Sequence, residues 1–346
     1  MNIGSVKEDL KLEKRISITP NTVKKLCNLG ITVNIETDYG VHLGFIDNEF
    51  KTNGAVILKD SKEVFNKSEV IFKVNCPSNE EISLIKKQSI LIGTFNPSLN
   101  AQVINRLIEK EIKVFSLDLL PRITRAQSMD VLSSQANLAG YRAVIESIYE
   151  FGKVTPMMMT AAGTITPAKV LVIGTGVAGL QAIATAKRLG AIVSATDVRS
   201  STKEQVESLG AKFLSVETTD NLETEDGYAK ESGEDYKKKQ AELLGFSVKK
   251  NDIVICTALI PGKKAPRIIT EEMIKSMQPG SIVYDLAVEQ GGNVAGSISD
   301  RINDINGVKV IGLRNILNKL PFSSSNLYAN NLLNFLQNLY NKEKKD

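Results

Sequence analysis

One stretch constrains the fold of this chain more than any other: "KVLVIGTGVAGLQAIATAKRLGAIVSATDVR", residues 169–199. It consists of a β-rich run, a glycine-rich turn, a helix-compatible segment and a second β-rich run that ends at Asp197. Gly174, Gly176 and Gly179 have GxGxxG spacing, which by itself is common in turns. Here the strand, the helix and the acidic residue of a dinucleotide-binding βαβ unit accompany the glycines. The sequence therefore predicts a dinucleotide site.

Each residue of this motif has its own physical role. Gly174 permits a tight turn, Gly176 lets the backbone approach the pyrophosphate, and Gly179 allows close packing of the helix on the strand. Asp197 is expected to accept hydrogen bonds from the ribose hydroxyls and to repel a 2′-phosphate, which favours NAD(H) over NADP(H). Arg199 is a counter-signal because such an arginine can receive a 2′-phosphate, but a solvated surface arginine is the favoured interpretation.

The same α/β pattern extends over both halves of the chain. Short β-rich runs alternate with longer helix-compatible segments, which is typical of right-handed βαβ units in a parallel sheet. "MDVLSSQANLAGYRAVIESIYEFG" has apolar residues near helical spacing and predicts one long helix between the halves. We expect an α/β fold: two Rossmann-like, doubly wound parallel-sheet domains joined by this helix. The predicted domains are residues 1–137, on which a tail helix in 314–346 packs back, and residues 138–313.

Composition excludes several functional classes. In 346 residues, 43 Lys+Arg and 39 Asp+Glu give a net charge of +4, too small and too scattered for a nucleic-acid interface. Three distant cysteines and a single histidine, His42, indicate neither a disulfide framework nor a metal site. The start of the chain lacks signal-peptide organisation, and its apolar runs are too short for a membrane span. We expect a globular protein in a reducing compartment, without a metal and without nucleic acid.

An acidic segment interrupts the second half. Residues 217–236, "ETTDNLETEDGYAKESGEDY", contain eight acidic residues and one lysine without helix or strand periodicity. A loop this long in a compact domain is usually a functional lid or a disordered insertion. Composition favours disorder, whereas Tyr228 behind a glycine favours a lid, and the sequence leaves both alternatives open.

A second motif, "PRITRAQSMD" over residues 121–130, raises a chemical question: which reaction needs Arg, Gln and Asp but no acid or base? It brings Arg122, Arg125, Gln127 and Asp130 together, without a histidine or lysine nearby to accept a proton. Oxidation of an amino acid or a hydroxy acid needs such a base. One alternative is that the loop is only a salt-bridged turn between domains, a role that suits Arg125.

Five segments together identify a family. They are "PRITRAQSMDVLSSQANLAGYRAV", "VIGTGVAGLQA", "DGYAKE", "TALIPGKKAPRIIT" and "DLAVEQGGN". The combination resembles the NAD(H)-binding alpha subunit of proton-translocating, Re/Si-specific NAD(P) transhydrogenase, itself similar to alanine dehydrogenase. The resemblance covers nearly the whole chain. "PGKKAP" and "EQGGN" occur in both families, whereas the Arg-Gln-Asp loop and "GYAKE" match transhydrogenase.

The resemblance implies an activity and partners. The chain would bind NAD(H) and exchange a hydride with NADP(H) on a partner component, while a membrane component couples the exchange to proton passage. It also implies a homodimer that is cytoplasmic and peripheral on the inner membrane through its partner subunits.

The resemblance also assigns site residues. Arg122, Gln127, Asp130 and Ser133 would hold the nicotinamide, with Gln127 nearest the hydride path, and Tyr228 would close over the bound nucleotide. The complete set of predicted cofactor-binding residues is Gly174, Gly176, Val177, Gly179, Asp197, Val198, Tyr228, Ala258 and Leu259.

Departures from alanine dehydrogenase answer the chemical question. Arg15 is retained, but asparagines, Asn75 and Asn96, stand where that family has the Lys and His that handle protons. Hydride transfer between two nicotinamide rings moves no proton at the reacting carbons and needs only positioning. Two other functions stay open on the sequence alone: an independent amino-acid or hydroxy-acid dehydrogenase, and a non-catalytic NAD-sensing module.

Overall fold

The computed structural model describes residues 1–216, 234–259 and 264–341, and for residues 234–237 only the backbone. The chain divides into two compact units, Met1–Gln135 with Leu317–Asp346, and Ala136–Ile316. The domain bounds drawn from the sequence stay a prediction. Most of the acidic segment, including Tyr228, lies outside the described residues. Residues 234–236, predicted as loop, instead begin a helix that continues to Val248.

The first unit is built on a parallel six-stranded sheet in the order β3-β2-β1-β4-β5-β6. This is the strand order of a doubly wound fold. Its strands are β1 (Asn2–Ser5), β2 (Thr32–Glu36), β3 (Val56–Leu58), β4 (Val70–Phe72), β5 (Ile90–Gly93) and β6 (Lys113–Ser116). Its helices are α1 (Pro20–Asn28), α2 (Asp47–Thr52), α3 (Ser61–Lys67), α4 (Asn79–Leu84) and α5 (Ala101–Glu109), together with α11 (Pro321–Leu339) from the end of the chain.

Both faces of this sheet are buried. Val70 and Phe72 belong to one apolar cluster and Ile71, between them, belongs to another. This alternation is the two-residue period of a strand with a core on each side. Helix α11 adds Tyr328 and Leu332 to the first of these clusters.

The second unit has a seven-stranded sheet in the order β11-β10-β9-β12-β13-β15-β14. Its strands are β9 (Lys169–Ile173), β10 (Ile192–Thr196), β11 (Lys212–Phe213), β12 (Ile253–Cys256), β13 (Ile282–Asp285), β14 (Arg301–Ile305) and β15 (Val308–Gly312). A separate hairpin pairs β7 (Met158–Thr160) with β8 (Gly163–Ile165). The helices are α7 (Val177–Arg188), α8 (Lys203–Ser208), α9 (Glu234–Val248) and α10 (Glu271–Lys275).

Helix α6 (Val131–Glu150) is the long helix that the sequence predicted, and the division between the units falls inside it after Gln135. The α/β class and the two parallel-sheet domains are confirmed. One edge differs, because β14 runs antiparallel to β15. Three of the five residues in its sequence "RINDI" are polar and none is buried, as suits an edge strand, and it contains no apolar run to recognise.

Candidate nucleotide-binding site

The turn between β9 and α7 has the form that the glycine motif predicts. Gly174 has φ +91°, in the left-handed region where a side chain is strained. A Cβ on Gly179 would lie 1.9 Å from the carbonyl oxygen of Gly174, so only glycine allows α7 to approach the strand this closely. A Cβ on Gly176 would meet no atom within 4 Å. Gly176 therefore faces open space where α7 begins.

The start of α7 is a suitable place for a pyrophosphate. Gly176 is the N-cap and Val177 the first helical residue, so the free amide groups of the first turn lie here. Such amides and the helix dipole together favour an anion. The open space at Gly176 leaves room for one, and the residues present thus fit a dinucleotide phosphate.

Gly140 supports this turn and was missed from the sequence. It lies in α6, and a Cβ there would be 2.0 Å from the carbonyl oxygen of Ala178 in the first turn of α7. A glycine inside a helical pattern is unfavourable without a packing reason, and "NLAGYR" therefore contained a signal. Gly140 thus allows α6 to approach the first turn of α7 closely.

Asp197, at the carboxyl end of β10, is held firmly. The Thr175 backbone N–H donates to its Oδ2 at 2.7 Å, and the Arg199 backbone N–H donates to its Oδ1 at 2.9 Å. Its side chain is 5% exposed. Thr175 is the residue between the first two glycines, so the same turn that faces the phosphates also orients the acid. The sequence did not single out Thr175.

Arg199 is not the solvated surface residue that the sequence favoured. Its guanidinium donates to Asp197 through Nε at 2.9 Å and through Nη2 at 2.8 Å, and its side chain is 15% exposed. Burial alone would raise the pKa of the Asp197 carboxyl, but the hydrogen bonds and charge of Arg199 lower that pKa below its usual value. Asp197 is therefore ionised and paired.

The loop after β12 lies beside this turn. The Thr257 hydroxyl donates to the carbonyl oxygen of Gly174 at 2.9 Å. Asn293 then fixes Ala258 from both sides: its Oδ1 accepts from the Ala258 N–H at 3.1 Å, and its Nδ2 donates to the Ala258 carbonyl at 2.9 Å. Thr257 and Asn293 were also missed. Asn293 could have been found as the polar end of "EQGGN".

A buried acid shapes the loop that carries Asn293. Asp285, fully buried at the end of β13, accepts from the backbone N–H groups of Ala287, Asn293 and Val294 at 2.9, 3.2 and 3.2 Å. Gly292 has φ +77°, and a Cβ on it would lie 2.6 Å from Asp285 Oδ2. The segment "DLAVEQGGN", which contains Asp285, Gly292 and Asn293, thus braces the loop at Ala258.

The loop with the Arg-Gln-Asp motif belongs to the first unit. Residues Thr124–Met129 form a short 3₁₀ helix in which Ala126 and Met129 are buried while Arg122, before it, and Gln127 are exposed. The core therefore fixes the turn from beneath, and its polar side chains face outward.

Side chains of helix α11 hydrogen-bond to the backbone of this loop. The amides of Asn331 and Asn334 both donate to the carbonyl oxygen of Ser128, at 2.9 and 3.0 Å. Arg125 donates through Nε to Asn338 at 2.9 Å. Arg125 thus bonds within its own unit, which corrects the alternative of an interdomain salt bridge for this residue.

Asp130 and Ser133 form the beginning of α6. Asp130 Oδ1 accepts from the Ser133 backbone N–H at 2.9 Å, and Oδ2 accepts from the Ser133 hydroxyl at 2.5 Å. This is N-terminal capping of a helix by an aspartate. Both residues thus have a structural role in addition to the predicted one.

The polar cluster around Arg15 lacks a free carboxylate-binding fork. Arg15 donates through Nε and Nη2 to the two oxygens of Glu13, at 2.8 and 2.7 Å, and through Nη1 to Gln135 at 3.1 Å. Asn75 donates to Glu13 at 3.4 Å. An internal carboxylate therefore occupies the fork that could otherwise take that of a substrate.

Neither Asn96 nor Lys73, which lies two residues before Asn75, can act as a base. Asn96 has φ +43°, a conformation that asparagine tolerates better than most residues, in the turn before α5. Lys73 is buried between Glu8 at 3.3 Å and Glu81 at 2.8 Å. Burial would lower the pKa of the Lys73 ammonium, but Glu8 and Glu81 raise it above its usual value, so Lys73 remains protonated.

The structure thus brings most predicted cofactor-binding residues to one place. Strands β10, β9 and β12 are neighbours and parallel, so their carboxyl ends share one edge of the second unit's sheet. At this edge lie Gly174, Gly176, Val177, Gly179, Asp197, Val198, Ala258 and Leu259. Arg122, Gln127, Asp130 and Ser133 lie together in the first unit.

Membrane-spanning helices and metal-binding clusters are both absent from the described part of the chain. Within residues 1–216, 234–259 and 264–341, no helix is both long and apolar enough to cross a membrane. Over the same ranges, no group of three or more His, Cys, Asp and Glu side chains could hold a metal ion.

Family models match almost the whole chain. Residues 4–139 match the alanine dehydrogenase/PNT N-terminal domain, and residues 143–346 match the alanine dehydrogenase/PNT C-terminal domain.

Individual relatives agree with the models. The chain is 49% identical over 352 residues to the first portion of the NAD(P) transhydrogenase subunit alpha of Rhodospirillum rubrum, covering 100% of this chain and 92% of the relative. A crystal structure of transhydrogenase from Sinorhizobium meliloti is 44% identical with a TM-score of 0.89, covering 100% of this chain and 96% of that one. Alanine dehydrogenase of Methanococcus maripaludis is 29% identical over 299 residues, covering 85% of this chain and 74% of the relative. The chain belongs to the alanine dehydrogenase/PNT family and, within it, to the NAD(P) transhydrogenase alpha subunits.

Proposed function

We propose that this chain binds NAD(H) in its second unit and exchanges a hydride with NADP(H) bound to a partner component. The observation that carries the proposal is the open turn at Gly176, where α7 begins beside the ionised carboxylate of Asp197. An anion-binding helix start next to an acid that suits ribose hydroxyls is the recognition pattern of NAD(H). The alpha-subunit relatives support the proposal by their names.

The residues of the second unit have specific roles in this proposal. The amides after Gly176 bind the pyrophosphate, Asp197 orients the adenosine ribose, and the braced loop at Ala258 and Leu259, with Val177 and Val198, lines the dinucleotide. Tyr228, outside the described residues, remains a proposed lid residue.

The loop of the first unit is proposed to orient the reacting ring. NAD(H), when bound, supplies the nicotinamide carbon that gives or takes the hydride. Gln127 and Arg122 are exposed on a turn whose backbone α11 fixes, and Asp130 and Ser133 follow at the start of α6. Fixed polar groups of this kind contribute positioning, which is sufficient when no proton moves at the reacting carbons.

An independent alanine dehydrogenase is the second candidate, and the first unit argues against it. Asn75 and Asn96 cannot take up a proton at neutral pH, Lys73 is already protonated, and Glu13 fills the fork of Arg15. We expect the purified chain to reduce no NAD with alanine and to oxidise no NADH with pyruvate. Turnover with either substrate would favour the dehydrogenase.

The proposed assembly extends beyond this chain. We propose an NADP(H)-binding component and a membrane component as partners, coupling of hydride exchange to proton translocation, and a location at the inner membrane through these partners. We also propose a homodimer. An isolated two-stranded hairpin is only marginally stable in water. Met158 and Met159 of β7 are exposed, as is Met157 directly before it, which favours burial of this hairpin against another chain.

Two measurements test the proposal. Titration of the chain with NADH and NADPH should show saturable NADH binding and much weaker NADPH binding. Mixing the chain with an NADP(H)-binding component should produce hydride exchange between the two nucleotides. Binding without exchange in the reconstituted complex would identify a non-catalytic NAD module instead.

A further inference from the structure

The carboxylate of Asp197 is surrounded by donors from Thr175 and Arg199. Oδ1 accepts from the backbone N–H and the Nε of Arg199, and Oδ2 accepts from the backbone N–H of Thr175 and the Nη2 of Arg199. A carboxylate offers about four lone-pair sites. Two of these bonds come from the backbone and are fixed by the fold. Two others come from the guanidinium, and the Thr175 hydroxyl donates to Oδ2 at 3.1 Å. These side-chain donors, unlike the backbone amides, can exchange with a ligand.

The segment that begins with Arg199 has the composition of a phosphate site. "RSSTK", residues 199–203, combines two cationic residues with three hydroxyl residues and has no acid. Ser200 and Lys203 are exposed. Guanidinium forks match phosphate oxygens as well as they match carboxylates. Side chains that can bind a 2′-phosphate therefore begin two residues after Asp197, the residue that repels it.

We propose that Asp197 and Arg199 form a paired switch of nucleotide choice, in which Asp197 withholds Arg199 from the 2′-phosphate of NADP(H). The inference rests on the proposed NAD(H) site and identifies Arg199 as a specificity-determining residue. NADP(H) is disfavoured twice: the phosphate meets the charge of Asp197, and the guanidinium that would neutralise the phosphate is bound to Asp197. NAD(H) avoids both penalties because it carries no 2′-phosphate, and its ribose hydroxyls can take the place of side-chain donors on the carboxylate.

The proposal predicts non-additivity between the two positions. Asp197→Asn removes the negative charge with little change of volume, and the guanidinium then binds the 2′-phosphate. The affinity for NADPH should rise about tenfold or more, ~1.4 kcal/mol. In Asp197→Asn/Arg199→Met most of this gain should disappear, because methionine keeps the apolar stem without the charge. Arg199→Met alone should leave NADPH binding weak, because Asp197 still repels the phosphate.

The experiment is a set of NADH and NADPH titrations, followed by nicotinamide fluorescence, on the full-length chain and these three variants. Arg188→Met is the matched control, since Arg188 is an exposed arginine at the far end of α7, about 16 Å along the helix from its start. It should change neither affinity. The NADPH affinity of Asp197→Asn should also fall more steeply with salt than that of the double variant. If Asp197→Asn does not fold, Asp197→Ala replaces it in both single and double variants.

The outcomes separate this inference from the proposed function. Equal NADPH affinities for Asp197→Asn and the double variant would overturn the switch, since Arg199 would then contribute nothing. An unchanged NADPH affinity in Asp197→Asn would overturn it as well. Absence of saturable NADH binding to the unaltered chain would instead overturn the proposed function.

Discussion

At the scale of single residues, glycine is needed at two positions of one turn for different reasons. Gly179 has no room, because a Cβ would lie 1.9 Å from a backbone oxygen of its own unit. Gly176 has room, because its Cβ position is empty to 4 Å, and its φ of −72° suits any residue. The fold therefore requires Gly179, whereas the proposed ligand requires Gly176.

We expect alanine at these two glycines to separate stability from binding. Gly179→Ala should lower the free energy of unfolding by roughly 1–3 kcal/mol, as overpacking does. Gly176→Ala should lower the free energy of unfolding by only about 0.5–1 kcal/mol, because alanine is a poorer N-cap than glycine. It should bind NADH several-fold more weakly, by roughly 1 kcal/mol for one weakened contact. Urea denaturation and NADH titration measure the two effects. Unaltered NADH affinity in Gly176→Ala would contradict the assigned phosphate site.

The Asp197–Arg199 pair gives a pH dependence whose sign is fixed. The folded state holds the pKa of Asp197 below its unfolded value of about 3.9. The stabilisation is therefore fully present above that value and is lost as the pH falls through the folded pKa.

We expect Arg199→Met to unfold more easily than the unaltered chain at neutral pH, by roughly 1–3 kcal/mol for charged hydrogen bonds. The difference should shrink below about pH 4. Urea denaturation of both chains at pH 7 and at several acidic pH values measures it, with Arg188→Met as the control. A difference that grows on acidification would show that this pair does not act as described.

At the scale of elements, α11 connects the end of the chain to the proposed nicotinamide loop. Asn331, Asn334 and Asn338 lie on one side of the helix, at three- and four-residue spacing. The first two donate to the carbonyl oxygen of Ser128, and the third accepts from Arg125. The orientation of Gln127 therefore depends on a helix almost two hundred residues further along the chain.

Removal of the two amides should loosen this loop, and it also removes the hydrogen bond that Asn331 accepts from the Ser134 hydroxyl at 2.7 Å. We expect Asn331→Ala/Asn334→Ala to lower the free energy of unfolding by roughly 1 kcal/mol per lost hydrogen bond and to speed amide exchange in residues 122–130. Asn330→Ala is the control, because Asn330 lies on the same helix but bonds to Asn326 and Lys25. Equal exchange in the loop for both variants would show that the asparagines do not fix it.

At the scale of the whole molecule, sequence reasoning succeeded where structure is set locally. The unit from Lys169 to Asp197 could be predicted because its turn, helix start and acid are encoded within one continuous stretch. Contacts between distant positions could not be predicted. The bonds of Asn293 to Ala258 and the close approach of Gly140 to Ala178 arise only from packing. Arg199 was misjudged for a different reason: its partner Asp197 is only two residues away, but the pairing depends on how the backbone turns where β10 ends.

For the whole assembly, we propose that catalysis is the positioning of two nicotinamide rings, with Gln127 as the orienting group. Gln127 is exposed on a turn whose neighbours Ala126 and Met129 are buried. Shortening its side chain should therefore leave the fold and the phosphate site at Gly176 intact. Because a misplacement of about 1 Å can cost ~100-fold in rate, Gln127→Asn should slow hydride transfer by about two orders of magnitude.

The direct test is stopped-flow measurement of hydride transfer between NADH on the full-length chain and NADP on the partner component, for the unaltered chain and Gln127→Asn. NADH titration of both chains is the parallel control. We expect NADH affinities within about twofold, a difference of ~0.4 kcal/mol, with transfer about 100-fold slower in the variant. Transfer at the unaltered rate by Gln127→Asn would show that Gln127 is only a turn residue and would contradict its role in orienting the ring.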